Sequence, residues 1–585
     1  MDWERIFIAS SGVLVILAFL SPILGKIKYK KKRIINPFHI LLAAVFISAA
    51  IMYFPMYYEL FKEEELQGLK SILLSIFSSL RVFLVDGEYN FVSEHIAGLS
   101  GWVYTAYSVH ATFLFVAGPL LTFGVVLSFF KNLQAYKRYF TGFFRETYIF
   151  SQLNEGSLLL AEGIKSEKRR PLIIFTDVSE SEEKDRLSDF EKAEQLGAIC
   201  FRKDIASIRF GFHCPGRKLN FFMVEEADDK NIKYALELIG RYKKRRETEV
   251  YVFSESIMSQ MLLSGAKWGK VTVHRVDRIQ SLISRTLYDT GYETIFKHAA
   301  DTANKNICAV IVGLGKHGME MLKALPWFCQ MDVYSAQLHA FDSRSDIEGE
   351  FMRVCPELMK MQNKVSIGDP EDAHYSITLH QGVNTNSHDF FSELSKLGNI
   401  TYIFIAQGSD EQNIRTAVEI RAFLGRRGVN PKIQTVIYNS DLKEEFSHLK
   451  NQGISIVGDL RSSYSPDVVM NSKLVDLALE RHKKWGGDEE SFWKSEYNYR
   501  SSTASVIHKK MKIACGIPGA NIDDPQKRNP IDRVNLRMLE HRRWNAYMRS
   551  EGYVYDKKKD HTLKTHYDLV RFSKLDPKTQ ENDDF

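Results

Sequence analysis

Cysteine is scarce in this sequence, and no two cysteines are close enough to form a paired motif. The 585 residues include six cysteines, all after residue 150, and none stands in a CxxC arrangement. Structural zinc sites and disulfide frameworks depend on such spacings. The sequence therefore predicts no metal site, and it fits a folded part that lies in a reducing cytosol.

The motifs of common catalytic sites are missing as well. The chain has no HExxH metal motif, no GxSxG nucleophile elbow and no lysine after a glycine loop of the Walker type. An enzyme is therefore the weaker class, and the sequence predicts no catalytic residue. The net charge of +6 is modest for this length. It predicts no nucleic-acid partner without a clustered basic face.

Charged side chains are absent from three long apolar stretches. Residues 6–25, 34–58 and 96–130 contain no Asp, Glu, Lys or Arg. About 20 apolar residues in a helix cross the ~30 Å hydrocarbon layer of a bilayer. The sequence predicts an α-helical membrane domain over residues 1–140 with spans at 6–25, 34–58 and 102–130. A signal peptide is the alternative for the first stretch, but it lacks a basic start and a small-residue cleavage site.

The loops between the spans differ in charge, and this difference predicts the orientation. The first loop is basic, with Lys26, Lys28, Lys30, Lys31, Lys32 and Arg33. The second loop is rich in acids: Glu59, Glu63, Glu64, Glu65, Asp86, Glu88 and Glu94. Basic loops stay in the cytoplasm. We expect a multi-pass protein of the inner membrane with its N-terminus outside and everything after about residue 131 in the cytoplasm.

A short apolar segment lies in the outer loop. Residues 70–84 are helical in character but too short to cross the bilayer, and the turn signal Asp86-Gly87 follows. A re-entrant pore helix and an interfacial helix both fit, and the lack of a TVGYG-type filter favours the interfacial one. The last span carries Tyr104, Tyr107, Ser108, His110, Thr112 and a Gly118-Pro119 pair. Helix packing and pore lining both explain such polar positions.

After Tyr148 the pattern changes to short apolar strands that alternate with helices. The first series of predicted strands covers 148–150, 172–176, 219–224 and 249–254, and the second covers 308–315, 338–342, 402–408 and 433–438. Alternation of this kind is typical of parallel α/β sheets. Because 228–232 (DDKNI) matches 410–414 (DEQNI), we predict two tandem, duplicated Rossmann-like units at 145–295 and 305–480.

The second unit contains a GxGxxG motif between a strand and a helix. Gly313, Gly315 and Gly318 form the motif, and Asp342 ends the next strand. Glycines let the backbone approach a pyrophosphate at a helix N-terminus, while the acid accepts from ribose hydroxyls. The motif predicts binding of NAD or another adenine nucleotide. The alternative is that the glycines serve packing alone. In the first unit, 151–156 lacks the first glycines, which favours a purely structural role.

Two family resemblances follow from these features. Tandem Rossmann units with an Asp-x-x-Asn pattern after a membrane domain resemble the RCK (TrkA-N-type) modules of potassium channels and transporters. Residues 488–585 resemble the ryanodine-receptor repeat (RyR) through Trp493, 499–511, 539–546, Gly552-Tyr553 and 566–569. The chain departs from bacterial repeats at Arg500-Ser501-Ser502 and 552–555. The RCK resemblance implies a homo-oligomer, tetramer or dimer, and the RyR resemblance implies a mainly helical domain that senses a nucleotide signal.

A ligand pocket in the RyR-like region has some support from spacing alone. Glu540, Arg543 and Trp544 fall on one face of a helix, so a guanidinium and an indole could hold a phosphate and a base. The alternative is a core tryptophan beside a Glu540–Arg543 pair. Carried onto this sequence, the resemblance adds Arg500 and Tyr553 to the ligand-binding set.

Three functions remain open from the sequence. The first is a membrane effector, an ion channel or a bilayer disrupter, gated by a nucleotide-type messenger such as a cyclic nucleotide or an ADP-ribose derivative, in antiphage defence. The second is an RCK-type regulator of potassium channels or transport. The third is a membrane-anchored, NAD-dependent oxidoreductase. The RyR resemblance favours the first.

Overall fold

The structure is a computed structural model, and it consists of two compact units, Met1–Tyr139 and Phe140–Phe585. It describes residues 3–584 apart from 25–27, 30–31, 34–36, 85–87, 100, 143, 179–183, 212–215, 246, 256–258, 260–261, 264–267, 303–304, 361–370 and 471.

The first unit is built from five helices: α1 (Trp3–Leu24), α2 (Pro37–Leu60), α3 (Gln67–Val82), α4 (Tyr89–Ile96) and α5 (Trp102–Thr141). Helices α1, α2 and α5 are long and apolar enough to cross a membrane, which confirms the three predicted stretches at that level. Gly25, residues 34–36 and the Asp86-Gly87 turn lie outside the described residues. Helix α5 continues without a break through Pro119 and is about 60 Å long at 1.5 Å per residue.

Polar side chains inside this unit connect its helices. His110 Nε2 on α5 lies 2.8 Å from the Ser10 hydroxyl on α1 and 3.1 Å from the Ser48 hydroxyl on α2, and all three residues are buried. Tyr107 donates to the Met52 carbonyl over 3.2 Å. Two of the polar positions predicted on the last span therefore serve helix packing, as hydrogen bonds between helices do in membrane proteins.

Helix α3 has a serine face and an apolar face. Ser71, Ser75, Ser78 and Ser79 are buried, and Tyr57 of α2 bonds to Ser78 over 2.7 Å. Several large apolar residues of α3, Phe77 among them, are exposed. Small residues let helices approach closely, and an outward apolar face suits lipid contact. This arrangement fits both sequence interpretations of the segment, a re-entrant helix and an interfacial one.

The second unit contains two parallel sheets of six strands each. The first sheet comprises β1 (Thr147–Phe150), β2 (Leu172–Phe175), β3 (Ile199–Cys200), β4 (Leu219–Met223), β5 (Thr248–Phe253) and β6 (Val271–Val276). The second comprises β7 (Asn306–Val312), β8 (Ser335–Asp342), β9 (Tyr375–Gln381), β10 (Tyr402–Ile405), β11 (Lys432–Val436) and β12 (Ile454–Val457). Their orders are β3-β2-β1-β4-β5-β6 and β9-β8-β7-β10-β11-β12. Both match the strand order of dinucleotide-binding sheets.

All eight strands predicted from the sequence are present, with ends shifted by a few residues. The four strands that the sequence prediction missed, β3, β6, β9 and β12, are the outer strands of the two sheets. An outer strand has a neighbour on one side only, so its sequence need not be continuously apolar. The prediction relied on apolar runs and therefore found the central strands alone.

Long helices connect and flank the strands. In the first sheet these are α6 (Glu155–Glu167), α7 (Lys184–Gln195), α8 (Asp228–Tyr242) and α9 (Arg278–Gly291). In the second they are α10 (Lys316–Phe328), α11 (Ile347–Val354), α12 (His388–Lys396) and α13 (Asp410–Gly425). The C-terminal region is mainly helical, with α14 (Lys473–Lys484), Glu489–Lys494, α15 (Glu496–Ala514) and α16 (Pro530–Ser550).

One hydrophobic core joins the second sheet to the C-terminal helices. The alternating residues Ile307, Ala309 and Ile311 of β7 share a buried cluster with Ile507 of α15 and Leu539 of α16. Alternate side chains of a strand point to the same face of its sheet. The other face has its own buried cluster, which includes the intervening residues of β7. The C-terminal helices thus cover one face of the second sheet.

The duplicated Asp-x-x-Asn segments have the same role in both sheets. Asn231 accepts from the Glu225 amide over 2.8 Å and donates to the Phe253 carbonyl over 2.8 Å. Asn413 accepts from the Gln407 amide over 2.6 Å and donates to the Val436 carbonyl over 2.9 Å. Each side chain ties the turn after one strand to the end of the next strand.

We expect Asn413→Ala to lower the free energy of unfolding of the second unit by about 1–3 kcal/mol, because it leaves buried backbone groups without partners. Thermal unfolding of the detergent-solubilised protein measures the change. The control is Glu411→Ala, an exposed neighbour on the same helix. Equal effects of the two substitutions would contradict the role of Asn413.

Candidate functional site

The candidate site is a cleft of about 530 Å³ at the carboxyl ends of the second sheet. It lies where the strand order reverses, between β7 and β10, which is the usual ligand position in sheets of this type. Its volume is within the range of small-molecule pockets. The glycine loop, the ends of β8 and β10 and the loop after β9 contribute the walls, through residues that include Gly313, Gly315, Lys316, His317, Asp342, Arg344, Asn384, Thr385, Asn386, Gln407 and Tyr438.

Each of the three motif glycines lacks a side chain for a different geometric reason. Gly313 has φ of +87°, and a Cβ there would lie 2.6 Å from the Ala406 carbonyl oxygen. A Cβ on Gly318 would lie 1.9 Å from the Gly313 carbonyl oxygen, so helix α10 can pack this closely only on glycine. Gly315 is different, because its nearest neighbour would be 4.0 Å away. Since Gly315 lines the cleft, its missing side chain leaves room for a ligand.

Helix α10 begins at Lys316, directly at the cleft, and Gly315 provides no side-chain cap. The first N–H groups of a helix carry partial positive charge and favour anions. A phosphate group of a nucleotide therefore suits this end of the cleft.

Asp342 lies in the cleft wall, but its carboxylate is already bonded within the protein. Oδ2 accepts from the Leu314 amide over 2.7 Å, and Oδ1 accepts from the amide and Nε of Arg344 over 2.9 and 3.0 Å. Burial opposes ionisation, yet the bonds from Arg344 and Leu314 hold the pKa of Asp342 below its ordinary value. Asp342 thus braces the glycine loop, and ribose hydroxyls would share it with Arg344.

The sequence prediction did not include Arg344, His317 and Tyr438. Arg344 follows Asp342 by two residues and also donates to the Leu314 carbonyl over 2.7 Å. Tyr438 follows β11, and its hydroxyl lies 2.8 Å from His317 Nε2. Burial lowers the pKa of His317 to about 4 and raises the pKa of Tyr438 to about 12. Arg344 could have been found from the sequence, because it closely follows the acidic end of a strand. The contact between Tyr438 and His317 could not, because it joins residues 121 positions apart.

The start of α10 also contacts residues from the part of the chain that forms the first sheet. Lys316 pairs with Glu255, which follows β5, over 2.6 Å, and Arg278 of α9 pairs with the same carboxylate over 3.0 Å. Burial opposes ionisation of Glu255, but Lys316 and Arg278 outweigh it and lower its pKa. The edge of the cleft is therefore linked by charge to the neighbouring Rossmann-like segment.

The equivalent position in the first sheet is filled differently. Asn154 caps α6 with its own side chain, which accepts from the Ser157 amide over 2.9 Å. A Cβ on Gly156 would lie 2.4 Å from the Tyr464 ring, so that ring covers the start of the helix. The buried Glu225 pairs with Lys230 over 2.6 Å. A capped, covered and acidic loop offers little to a phosphate.

The residues predicted from the RyR resemblance do not form one open pocket. Glu540 and Arg543 are buried and pair over 2.9 Å, and Lys512 approaches the same carboxylate within 3.0 Å. Burial opposes ionisation of Glu540, but Arg543 and Lys512 outweigh it and hold its pKa well below the ordinary range. This geometry agrees with the pairing alternative for Glu540.

The other three residues of that set have separate surroundings. Arg500 pairs with Glu551 over 2.8 Å and with Glu320 of α10 over 3.0 Å. Trp544 is 8% exposed and belongs to the shared hydrophobic core. Tyr553 is buried, and its hydroxyl lies 2.8 Å from His561 Nδ1. Within the described ranges no group of three His, Cys, Asp or Glu side chains could hold a metal ion.

We expect Gly318→Ala to destabilise the second unit by about 1–3 kcal/mol, because the added methyl overlaps a backbone carbonyl. Gly315→Ala should leave stability unchanged, since its methyl meets open space. Thermal unfolding of both variants tests the difference. A larger loss at Gly315 than at Gly318 would refute the geometric roles given above.

We expect Glu540→Gln to destabilise the protein by about 3–5 kcal/mol near neutral pH, because it leaves buried cations without a counter-charge. The folded pKa of Glu540 is depressed, so its contribution is present above the ordinary value of 4.5 and is lost as pH falls below that value. Unfolding curves give the free energy of unfolding of the variant and of the wild type at each pH. The difference between the two proteins should therefore be smaller at pH 3 than at pH 7. The control is Glu480→Gln, which changes an exposed residue. A stable Glu540→Gln variant at pH 7 would argue against the structural role.

Comparison with known proteins assigns the chain to no family. No family model matches the chain, and no curated protein matches it.

Proposed function

We propose that this chain is a membrane effector that binds an adenine-type nucleotide in the β7–β10 cleft and changes the state of its membrane helices in response. One observation carries the proposal. A glycine loop with room at Gly315 meets an uncapped helix start at the reversal point of a Rossmann-order sheet, in a chain that also has three membrane-length helices. Phosphate recognition and membrane action are then functions of one polypeptide.

Contacts inside the second unit offer a route for the signal. Lys316 at the cleft pairs with Glu255 of the first Rossmann-like segment. That segment begins with β1, which follows α5 after only a few residues. Arg217 anchors this connection by donating to the Gly142 carbonyl. A ligand that displaced Lys316 or drew it toward a phosphate would act on the segment closest in sequence to the membrane helices.

The wider role rests on the resemblances. It comprises a nucleotide second messenger as the ligand, an ion-conducting or membrane-permeabilising response, a homo-oligomeric assembly and a place in antiphage defence. The loop charges support an outside N-terminus and a cytoplasmic second unit in the inner membrane. An RCK-type regulator of potassium transport is the nearest alternative, and it would use the same cleft.

The oxidoreductase alternative is weaker on chemical grounds. An acid–base group for hydride chemistry works best with a pKa near the operating pH. At the cleft, burial lowers the pKa of His317 to about 4 and raises the pKa of Tyr438 to about 12, so both values lie far from neutrality. Bound NAD would act here as an effector.

The test is ion flux from liposomes that contain the purified protein, with ADP, ATP, NAD, ADP-ribose and cyclic nucleotides as probes. We expect one of them to raise the flux. Gly315→Asp should weaken binding of that probe about 100-fold or more, because a carboxylate would face the phosphates where like charges cost several kcal/mol. Gly398→Asp is the matched control. A side chain at Gly398 would meet open space, and this glycine belongs to the part of the chain that forms the second sheet.

Two results would refute the proposal. The first is a lack of flux and of binding with every probe. The second is flux that Gly315→Asp leaves unchanged, because the ligand would then act elsewhere. Turnover of NADH by the purified protein would favour the oxidoreductase alternative.

A further inference from the structure

A short acidic segment, residues 581–584, lies against a group of arginines in the C-terminal region. Asp584 Oδ2 accepts from Arg533 Nε and from Arg537 Nη2, each over 2.6 Å. Arg528 approaches from the other side, with its Nη1 3.9 Å from Asp584 Oδ1. The Asp584 side chain is 9% exposed, and that of Arg528 is fully buried. One carboxylate therefore stands among three guanidinium groups.

The carboxylate does not satisfy these groups. Arg528 Nη1, Arg537 Nε and Asp584 Oδ1 are buried and have no hydrogen-bond partner among the residues that the structure describes. The other nitrogens of Arg528 donate to the Ile522 carbonyl over 3.0 and 2.8 Å, which fixes the orientation of its free Nη1. A buried donor without a partner costs about 1–3 kcal/mol. Asp584 therefore leaves buried N–H donors of Arg528 and Arg537 unused although its own Oδ1 is unpaired, so its shape and position match the arginines poorly.

The neighbouring acids have other partners. Asp583 faces His541, whose Nδ1 lies 3.1 Å from its carboxylate. Asp523 pairs with Lys509, and Asp524 accepts from the Gln526 amide over 3.0 Å. In the part of the chain that the structure describes, Asp584 is therefore the carboxylate that pairs with the three arginines, while Asp523, Asp524 and Glu581 act on them from farther away.

We propose that Arg528, Arg533 and Arg537 form a binding site for the phosphate group of a soluble ligand, and that the 581–584 segment occupies this site as an internal competitor. A terminal phosphate has three oxygens and a larger negative charge, and arginine forks match its geometry. The site is separate from the β7–β10 cleft and does not rest on the function proposed for it. A ligand with two phosphates could act on both places.

The competitor gives the site a built-in threshold. When the 581–584 segment fills the site, a ligand can bind only those molecules in which the segment is displaced. The apparent affinity is then the intrinsic affinity multiplied by that fraction of molecules. The segment and the turn before it are short, Pro577–Gln580 and Glu581–Asp583, and Glu581 and Asn582 are exposed. Displacement breaks the bonds of Asp584 to Arg533 and Arg537, the contact of Asp583 with His541 and the bond from Trp485 Nε1 to the Asn582 carbonyl.

The first experiment measures pyrophosphate binding by titration calorimetry in a Gly315→Asp background, where the cleft is blocked. We expect Asp584→Asn to lower the apparent Kd at least about tenfold, because the competitor loses its charge. Glu581→Gln is the matched control: it removes the same charge from an exposed residue of the same segment that acts on Arg533 only from a distance, so it should lower the apparent Kd much less. Adding Arg533→Gln and Arg537→Gln should abolish the gain.

The second experiment needs no substitution and remains valid if Asp584→Asn fails to fold. Hydrogen exchange of the Gln580 and Asp584 amides, which bond to the Asp576 and Glu581 carbonyls, should speed up in the wild-type protein with millimolar pyrophosphate. Unchanged exchange would overturn the proposal, as would a gain in affinity that persists without Arg533 and Arg537. If Asp584→Asn folds, destabilises the protein and binds pyrophosphate no better, the segment is a structural staple and the proposal fails.

Discussion

A parallel sheet is stable only when both of its faces are covered, and this constraint organises the second unit. One face of the second sheet packs on helix α9, which belongs in sequence to the first sheet, and on the C-terminal helices α15 and α16. The C-terminal helical region is therefore part of the core of its neighbour. Movement of α10 relative to the sheet would displace contacts in that region directly.

The cleft and the C-terminal region are joined through helix α10. Its first turn lies at the glycine loop, and Glu320 on its next turn pairs with Arg500 of α15. Burial opposes ionisation of Glu320, but Lys323 and Arg500 outweigh it and lower its pKa, which favours the charged carboxylate. Arg500 also contacts Glu551, at the end of α16. Arg500 of α15 thus connects α10 with the end of α16.

Much of this architecture could be predicted from the sequence, because the informative features are local. Membrane-length runs, buried central strands and the spacing of Gly313, Gly315 and Gly318 are visible in short windows. The edge strands and the contact between Tyr438 and His317 are not, since they depend on partners far away in the sequence. Glu540 and Arg543 illustrate the limit: their spacing places them on one helix face, but only the fold decides whether that face is open or buried.

Helix α5 has a mechanical consequence. It is helical from Trp102 to Thr141, and β1 begins at Thr147, so little slack separates the two in the chain. A continuous helix resists bending more than a loop does, except where its backbone hydrogen bonds are interrupted. Gly118 is the place where the helix can pivot, because its missing side chain lets it touch Val82 of α3 closely and Pro119 removes a backbone donor beside it. With Gly118 as the pivot, the arm toward Trp102 is 16 residues long and the arm toward Tyr139 is 21, so a tilt displaces the Tyr139 end of the helix more than its Trp102 end.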